Sequence, residues 1–163
     1  MNGSQEIYEV LKNLEIQFEY HEHPPAPTIE IAKEYWKDLD ATHCKNIFLR
    51  NHKGNKHYLV VFEHNQNLSV NWLEQKLKQG KLSFASDWRL EQYLKVKAGS
   101  VSPLALVHDT ENHIHVFLDE MLSQAKSVSF HPGINTASLV LSLTDFERYM
   151  KFIGNSYEYL KLY

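Results

Sequence analysis

Apolar positions at the start of the chain recur at helical spacing. Ile7, Val10, Leu11 and Leu14 in SQEIYEVLKNLEI fall on one face, and Ser4 is placed to cap it. The period then shortens: QFEYHEH alternates as a short strand and stops at PPAP, where proline bars both helix and ladder. Thr28 is next placed to cap a second helix, IEIAKEYWKDL, with Ile31, Tyr35 and Leu39 on the side expected to be buried. KNIFLRN and KHYLVVFEH read as strands joined by the glycine turn HKGN. SVNWLEQKLKQG reads as a helix closed by Gly80, LSFAS as a short strand and SDWRLEQYL as a helix. PLALVHD and HIHVFLDEML form a hairpin-like pair about TEN, and SVSFHP and SLVLSL complete the strands. The last helix opens on Thr144-Asp145-Phe146-Glu147 as a capping box and turns Phe146, Tyr149, Met150 and Ile153 inward.

About seven strands and four or five helices result, with no internal repeat, linker or low-complexity stretch. Helices interrupt the paired strands irregularly, which predicts an α+β fold on a mixed sheet rather than a regular βαβ alternation. A length of 163 residues predicts one domain spanning 1–163.

Composition narrows the function classes. With 43% hydrophobic and 23% charged residues the chain can bury an ordinary core. Its net charge of −3 argues against wrapping nucleic acid by electrostatics alone, yet leaves room for contact with one end of an RNA. The lone cysteine, Cys44, permits no internal disulfide, which suits a reducing compartment. No apolar run approaches the roughly 20 residues of a membrane span, and MNGSQEIYEV lacks the features of a secretory signal. The expectation is a cytoplasmic protein without membrane or DNA partners.

Candidate chemistry starts with what is unpromising. Ten histidines include His21-x-His23 and His113-x-His115, pairs that share a strand face, but no HExxH or cysteine pair accompanies them. They read as solvated strand-end residues, and no metal or other cofactor is expected. Cys44 and Lys45 point to opposite faces of a strand, so Cys44 reads as a buried structural thiol. Three segments are more informative. A strand that begins on Lys45-Asn46 has either a wet edge or a polar floor. In KAGSVSPLAL, Gly99 and Pro103 bracket a short loop that is either a tight connection or an array of backbone groups facing a ligand. In FHPGINTAS, His131 stands at a strand end beside a turn. Taken singly, each fits a plain structural role.

Taken together, PTIEIA (27–32), CKNIFLRN (44–51), GSVSPLAL (99–106) and HPGINTASLVLS (131–142) resemble the YbaK/prolyl-tRNA synthetase-associated editing domain superfamily along almost the whole chain. Within it the chain looks most like the free-standing ProXp-ala (PrdX-like) alanyl-tRNA(Pro) deacylases. The resemblance implies a mixed, partly barrel-like sheet surrounded by helices, and hydrolysis of the ester joining a wrong amino acid to the 3′ end of tRNA. It implies that Lys45 engages the terminal nucleotide, and that the loop Gly99, Ser100, Val101, Ser102 and Pro103 holds the reacting end while the substrate's 2′-hydroxyl helps activate water. It further implies that His131, Ile31 and Asn46 contact the amino acid. Its partners would be the acceptor end of tRNA(Pro) and prolyl-tRNA synthetase. Cysteinyl-tRNA(Pro) or another small mischarged ester is an alternative substrate, and a non-catalytic tRNA- or synthetase-binding module an alternative class. Lys76, Lys78, Lys81, Arg89, Lys95 and Lys97 either meet the acceptor stem or form a solvated face.

Overall fold

One long strand organises the sheet. In the computed structural model, which describes residues 1–25, 29–37 and 40–163, β2 (Thr42–Asn51) alternates its side chains between two cores. Cys44 and Phe48 enter the larger core; Leu49, with Ile47 beside it, enters the smaller. Along one side β2 pairs antiparallel with β3 (His57–Glu63). Along the other it runs parallel to β6 (Ser127–Phe130) at its start and antiparallel to β4 (Leu82–Phe84) at its end. β7 (Ala137–Ser142) and β1 (Glu19–Glu22) extend the sheet beyond β6, and β5 (His115–Asp119) and β8 (Tyr157–Leu160) extend it beyond β3. The result is a mixed sheet of eight strands, ordered β1-β7-β6-β2-β3-β5-β8 with β4 branching from β2.

Tyr20 on the first strand of this order and Tyr157 and Tyr159 on the last all pack against the larger core. Both edges of the sheet therefore curl toward one interior. α1 (Gln5–Asn13), α4 (Asp87–Leu94) and α5 (Leu143–Ile153) fill it with Ile7, Leu11, Leu90, Leu94, Phe146 and Tyr149. α3 (Val70–Leu77) covers the outer face, where Leu73 and Leu77 join Val60, Phe62 and Phe117. α2 (Ile29–Trp36) enters neither core with its rings: Tyr35 and Trp36 lie against histidines. No helix among the described residues is long and apolar enough to cross a membrane.

The α+β expectation holds, with differences in detail. PLALVH is a 3₁₀ turn (Pro103–His108), not a strand, because Ser102 caps it, Pro103 occupies its first turn, and Leu104, Ala105 and Leu106 are all buried rather than alternating. The strand that sequence periodicity overlooked is β8, whose four residues lie parallel to β5. α3 ends on Lys78 in the left-handed conformation, two residues before Gly80. α5 is capped by Ser142, whose hydroxyl accepts from the Asp145 N–H, rather than by Thr144. Ser4 stands at the N-cap of α1, but its hydroxyl meets the Glu6 carboxylate and His108 instead of a helical N–H. Ile31 and Tyr35 are 42% and 38% exposed, while Ala32 is buried; the rings of this helix meet histidines rather than an apolar core. The Thr28 cap and Leu39 lie outside the described residues.

Candidate active site

The start of β2 and the end of β6 bring polar residues of distant segments together. His43 and Lys45 share the face of β2 turned away from the larger core. In the parallel ladder His43 lies opposite Ser129, and His131 follows two residues later on the same face. The ladder has two pairs, Thr42 with Val128 and His43 with Ser129, so Lys45 and His131 each lie two residues beyond its last pair. The Lys45 Nζ donates to the Gln66 carbonyl at 2.6 Å, which fixes the side chain and leaves two of its three N–H groups for another partner.

His131 is oriented by its own turn. Its Nδ1 lies 2.8 Å from the Ala137 carbonyl, which only accepts, so Nδ1 carries the proton and Nε2 presents a lone pair. Burial holds its pKa below the usual imidazole value, against the pull of that carbonyl. The ring of His23 sits 5.9 Å away, bonded through Nε2 to the Ser138 hydroxyl at 2.9 Å.

The 99–103 loop is fastened to the same turn. Ser102 is fully buried; its hydroxyl donates to the His131 carbonyl at 2.8 Å and accepts from the Leu104 N–H at 3.1 Å. Gly99 adopts φ +90°, a conformation that penalises any side chain. Pro103 starts the 3₁₀ turn, and the buried Tyr149 hydroxyl donates to the Leu104 carbonyl at 2.6 Å. Ser100 is buried and Val101 half-buried. The N–H groups of Gly99, Val101 and Ser102 make no hydrogen bond within the chain among the described residues, leaving a short row of backbone donors beside His131. From a third side, the Ser4 N–H donates to the Pro132 carbonyl at 2.8 Å.

α2 lies over this surface through rings. Trp36 stacks on His43 with centroids 4.4 Å apart and planes 2° from parallel, and its edge meets His64. Tyr35 stacks on His23. His43 is buried, and that burial, with His64 and His131 nearby, pushes its pKa down to about 4. Ile31 lies on the same helix, largely exposed. Asn46 points to the opposite side of β2 from Lys45: its amide donates to the Cys44 carbonyl at 3.4 Å, while Oδ1 is enclosed without a protein partner among the described residues. The Cys44 thiol is buried and its pKa raised by that burial, as befits a structural cysteine.

Sequence reasoning missed several parts of this surface. His23 and His113 are not solvated strand ends: His23 joins Ser138 and Tyr35, and His113 lies 2.8 Å from His57 and stacks on Tyr93. His43 carried a usable signal, since it stands two residues before Lys45 and so shares its face. The six cations also separate. Arg89 is held by the Gly54 carbonyl and His57, Lys76 lies over Trp72 and Lys81 faces Glu74, whereas Lys95 and Lys97 stand beside the 99–103 loop. Among the described residues no group of three His, Cys, Asp or Glu side chains is arranged to hold a metal ion.

Comparison with known proteins places this geometry in context. Residues 23–149 match the family model of the aminoacyl-tRNA editing domain. The chain is 37% identical over 163 residues to the prolyl-tRNA editing protein ProX of Acetoanaerobium sticklandii, with 99% of each chain covered. It is 33% identical to the prolyl-tRNA synthetase associated domain-containing protein 1 of Mus musculus, over 95% of each. Among solved structures, a candidate trans-editing enzyme for prolyl tRNA synthetase superposes with a TM-score of 0.69 at 20% identity, covering 98% of this chain and 99% of the other. The hypothetical protein APE2540 superposes with a TM-score of 0.72 at 18% identity, covering 96% and 99%.

Proposed function

This chain belongs to the aminoacyl-tRNA editing domain family, and from that premise we propose that it hydrolyses mischarged alanyl-tRNA(Pro) in trans, releasing alanine and tRNA(Pro). The observation that carries the reading is the fastening of the 99–103 loop to the His131 carbonyl by the Ser102 hydroxyl, just past the strand that pairs with the start of β2. Lys45, already anchored on Gln66, directs its remaining N–H groups to the phosphate or ribose of the terminal nucleotide. The ester carbonyl lies against the free N–H groups of the loop, which stabilise the negative charge that develops on its oxygen. Water adds to the carbonyl carbon, assisted by the neighbouring 2′-hydroxyl. The C–O bond to the ribose then breaks, and the proton given up by water ends on the departing 3′-oxygen. Ser102 positions the loop and is not itself a nucleophile, since its hydroxyl is occupied on both sides.

The reason for such an enzyme is a limit on binding selectivity. A pocket built for proline separates side chains that differ by a methylene by only about 1–3 kcal/mol, so smaller amino acids need a hydrolytic second sieve. His131 Nε2 and Ile31 line the amino-acid side of the site in this reading; Asn46, turned to the opposite side of β2 from Lys45, is not part of that wall. The exposure of Ile31 favours one alternative substrate, the cysteinyl ester, because a wall that is not packed into a core can yield to a slightly larger side chain. Prolyl-tRNA synthetase, the source of the mischarged tRNA, is the expected protein partner.

The test is hydrolysis of Ala-tRNA(Pro), Cys-tRNA(Pro) and Pro-tRNA(Pro) by wild type and Lys45→Ala. Loss of the alanyl ester alone, abolished by the substitution, supports the proposal. Preference for the cysteinyl ester corrects the substrate. No hydrolysis of any ester overturns the enzymatic reading and leaves a binding module.

A further inference from the structure

A cleft of about 370 Å³ opens between the end of α4, the 99–103 loop and the turn after His131. Lys95 and Lys97 line one wall, Ser100 the floor, and Gly133 and Asn135 the other wall. Gly99 stands between the lining residues Ala98 and Ser100, and a Cβ there would make ordinary van der Waals contact, 3.7 Å, with the Asn135 amide nitrogen. Both segments that form the walls also build the candidate active site, one through Ser102 and the other through His131. A chain whose last residue reacts at that site therefore has this cleft immediately next to it.

We propose that the cleft binds the ribose-phosphate strand that precedes the esterified nucleotide, the single-stranded 3′ end of the RNA. This rests on the proposed function for the location of the ester. The chemistry of the lining selects the ligand. Two ammonium groups suit phosphates, while the Asn135 amide and Ser100 hydroxyl suit ribose hydroxyls and base edges. Lys95 is held in the left-handed conformation at the C-cap of α4, so its direction is set by the backbone rather than by chance on a flexible surface. Glu91 is the one carboxylate on the lining, and Glu6 lies within electrostatic reach of Lys95; both moderate the attraction and keep binding salt-sensitive. Of the cations considered in the sequence, these two are the ones adjacent to the loop, whereas Arg89 is occupied in holding the Gly54 turn.

The experiment needs no turnover. Binding of an unesterified CCA trinucleotide is measured by titration calorimetry and by amide NMR shifts, for wild type and for Lys95→Asn/Lys97→Gln. Asparagine is chosen because it tolerates the left-handed backbone at 95. The wild type is expected to shift the amides of Gly133 and Asn135. The double variant is expected to weaken binding about tenfold, roughly threefold for each exposed charge, and to flatten the salt dependence by about 0.7 for each phosphate that is no longer neutralised. Its unperturbed amide spectrum elsewhere establishes that it is folded. Unchanged affinity and salt slope, or shifts that skip both walls of the cleft, overturn the inference. Absence of ester hydrolysis with intact trinucleotide binding would instead overturn the catalytic reading and leave the cleft standing.

Discussion

Replacing Ser102 by alanine removes one oxygen that holds two segments together. Its hydroxyl is fully buried, donates to the His131 carbonyl and accepts from the Leu104 N–H. Both partners lose their bond at once, and among the described residues no other hydrogen bond to either is present. An unsatisfied buried polar group costs about 1–3 kcal/mol, so the pair amounts to roughly 2–4 kcal/mol once relaxation is allowed for. In a domain of this size that lowers Tm by roughly 5–12 °C. Ser100→Ala is the matched control, since Ser100 is also buried but its hydroxyl makes no hydrogen bond among the described residues; it should cost less than about 1 kcal/mol. Deacylation of Ala-tRNA(Pro) measured well below both transitions should fall by about 10–100-fold for Ser102→Ala, because the loop donors are no longer registered against His131. If Ser102→Ala melts within a degree of Ser100→Ala and turns over like the wild type, the clamp does not hold the site.

Other perturbations read other parts of the molecule. Tyr149→Phe removes the buried hydroxyl that donates to the Leu104 carbonyl and should cost about 1–3 kcal/mol by urea unfolding, with the fold retained. Asn155→Ala removes the amide that satisfies Asp109 and the Ile114 carbonyl at 2.8 Å each; a loss of about 2–4 kcal/mol is expected from the same measurement. Burial, reinforced by neighbouring cationic and imidazole groups, sets both His43 and His57 at about 4, against about 6.5 in an unfolded chain. The unfolded state therefore takes up protons first, so stability is complete above pH 6.5 and declines as pH falls toward 4. Unfolding free energies from urea titrations at pH 7.5 and 5 should differ by about 1 kcal/mol per ring after discounting for solvent screening, and His43→Phe should remove one ring's share. A flat profile between those two pH values would refute the assignment.

The two strands of the central hairpin were readable because alternation in KNIFLRN and KHYLVVFEH is strict and glycine marks the turn between them. PLALVH misled because a short run buried on all sides has no period, and a 3₁₀ turn and a strand then look alike. β8 was obscured by its parallel pairing with a strand far away in sequence, for which no turn gives notice. Lys45, the 99–103 loop and His131 could be picked out through family likeness, but not the means by which β2 joins β6 and the loop joins His131. That depends on a parallel register of two residue pairs between β2 and β6 and on one serine hydroxyl, neither of which leaves a local mark. The ring contacts of α2 were hidden for a related reason. Its aromatic residues suggested an apolar face, whereas stacking on histidine needs only a flat ring and tolerates exposure.

The contact between the Ser4 N–H and the Pro132 carbonyl has a bearing on portability. The family match runs from 23 to 149, and it would be natural to treat that interval as a transplantable cassette for fusion to a synthetase. Such a graft would omit the strut under the residue that follows His131, along with Ile7 and Leu11 from the interior and the strand that closes the far side of the sheet. The first turn of the chain is thus scaffolding for chemistry more than a hundred residues away, and a minimal editing module has to carry it.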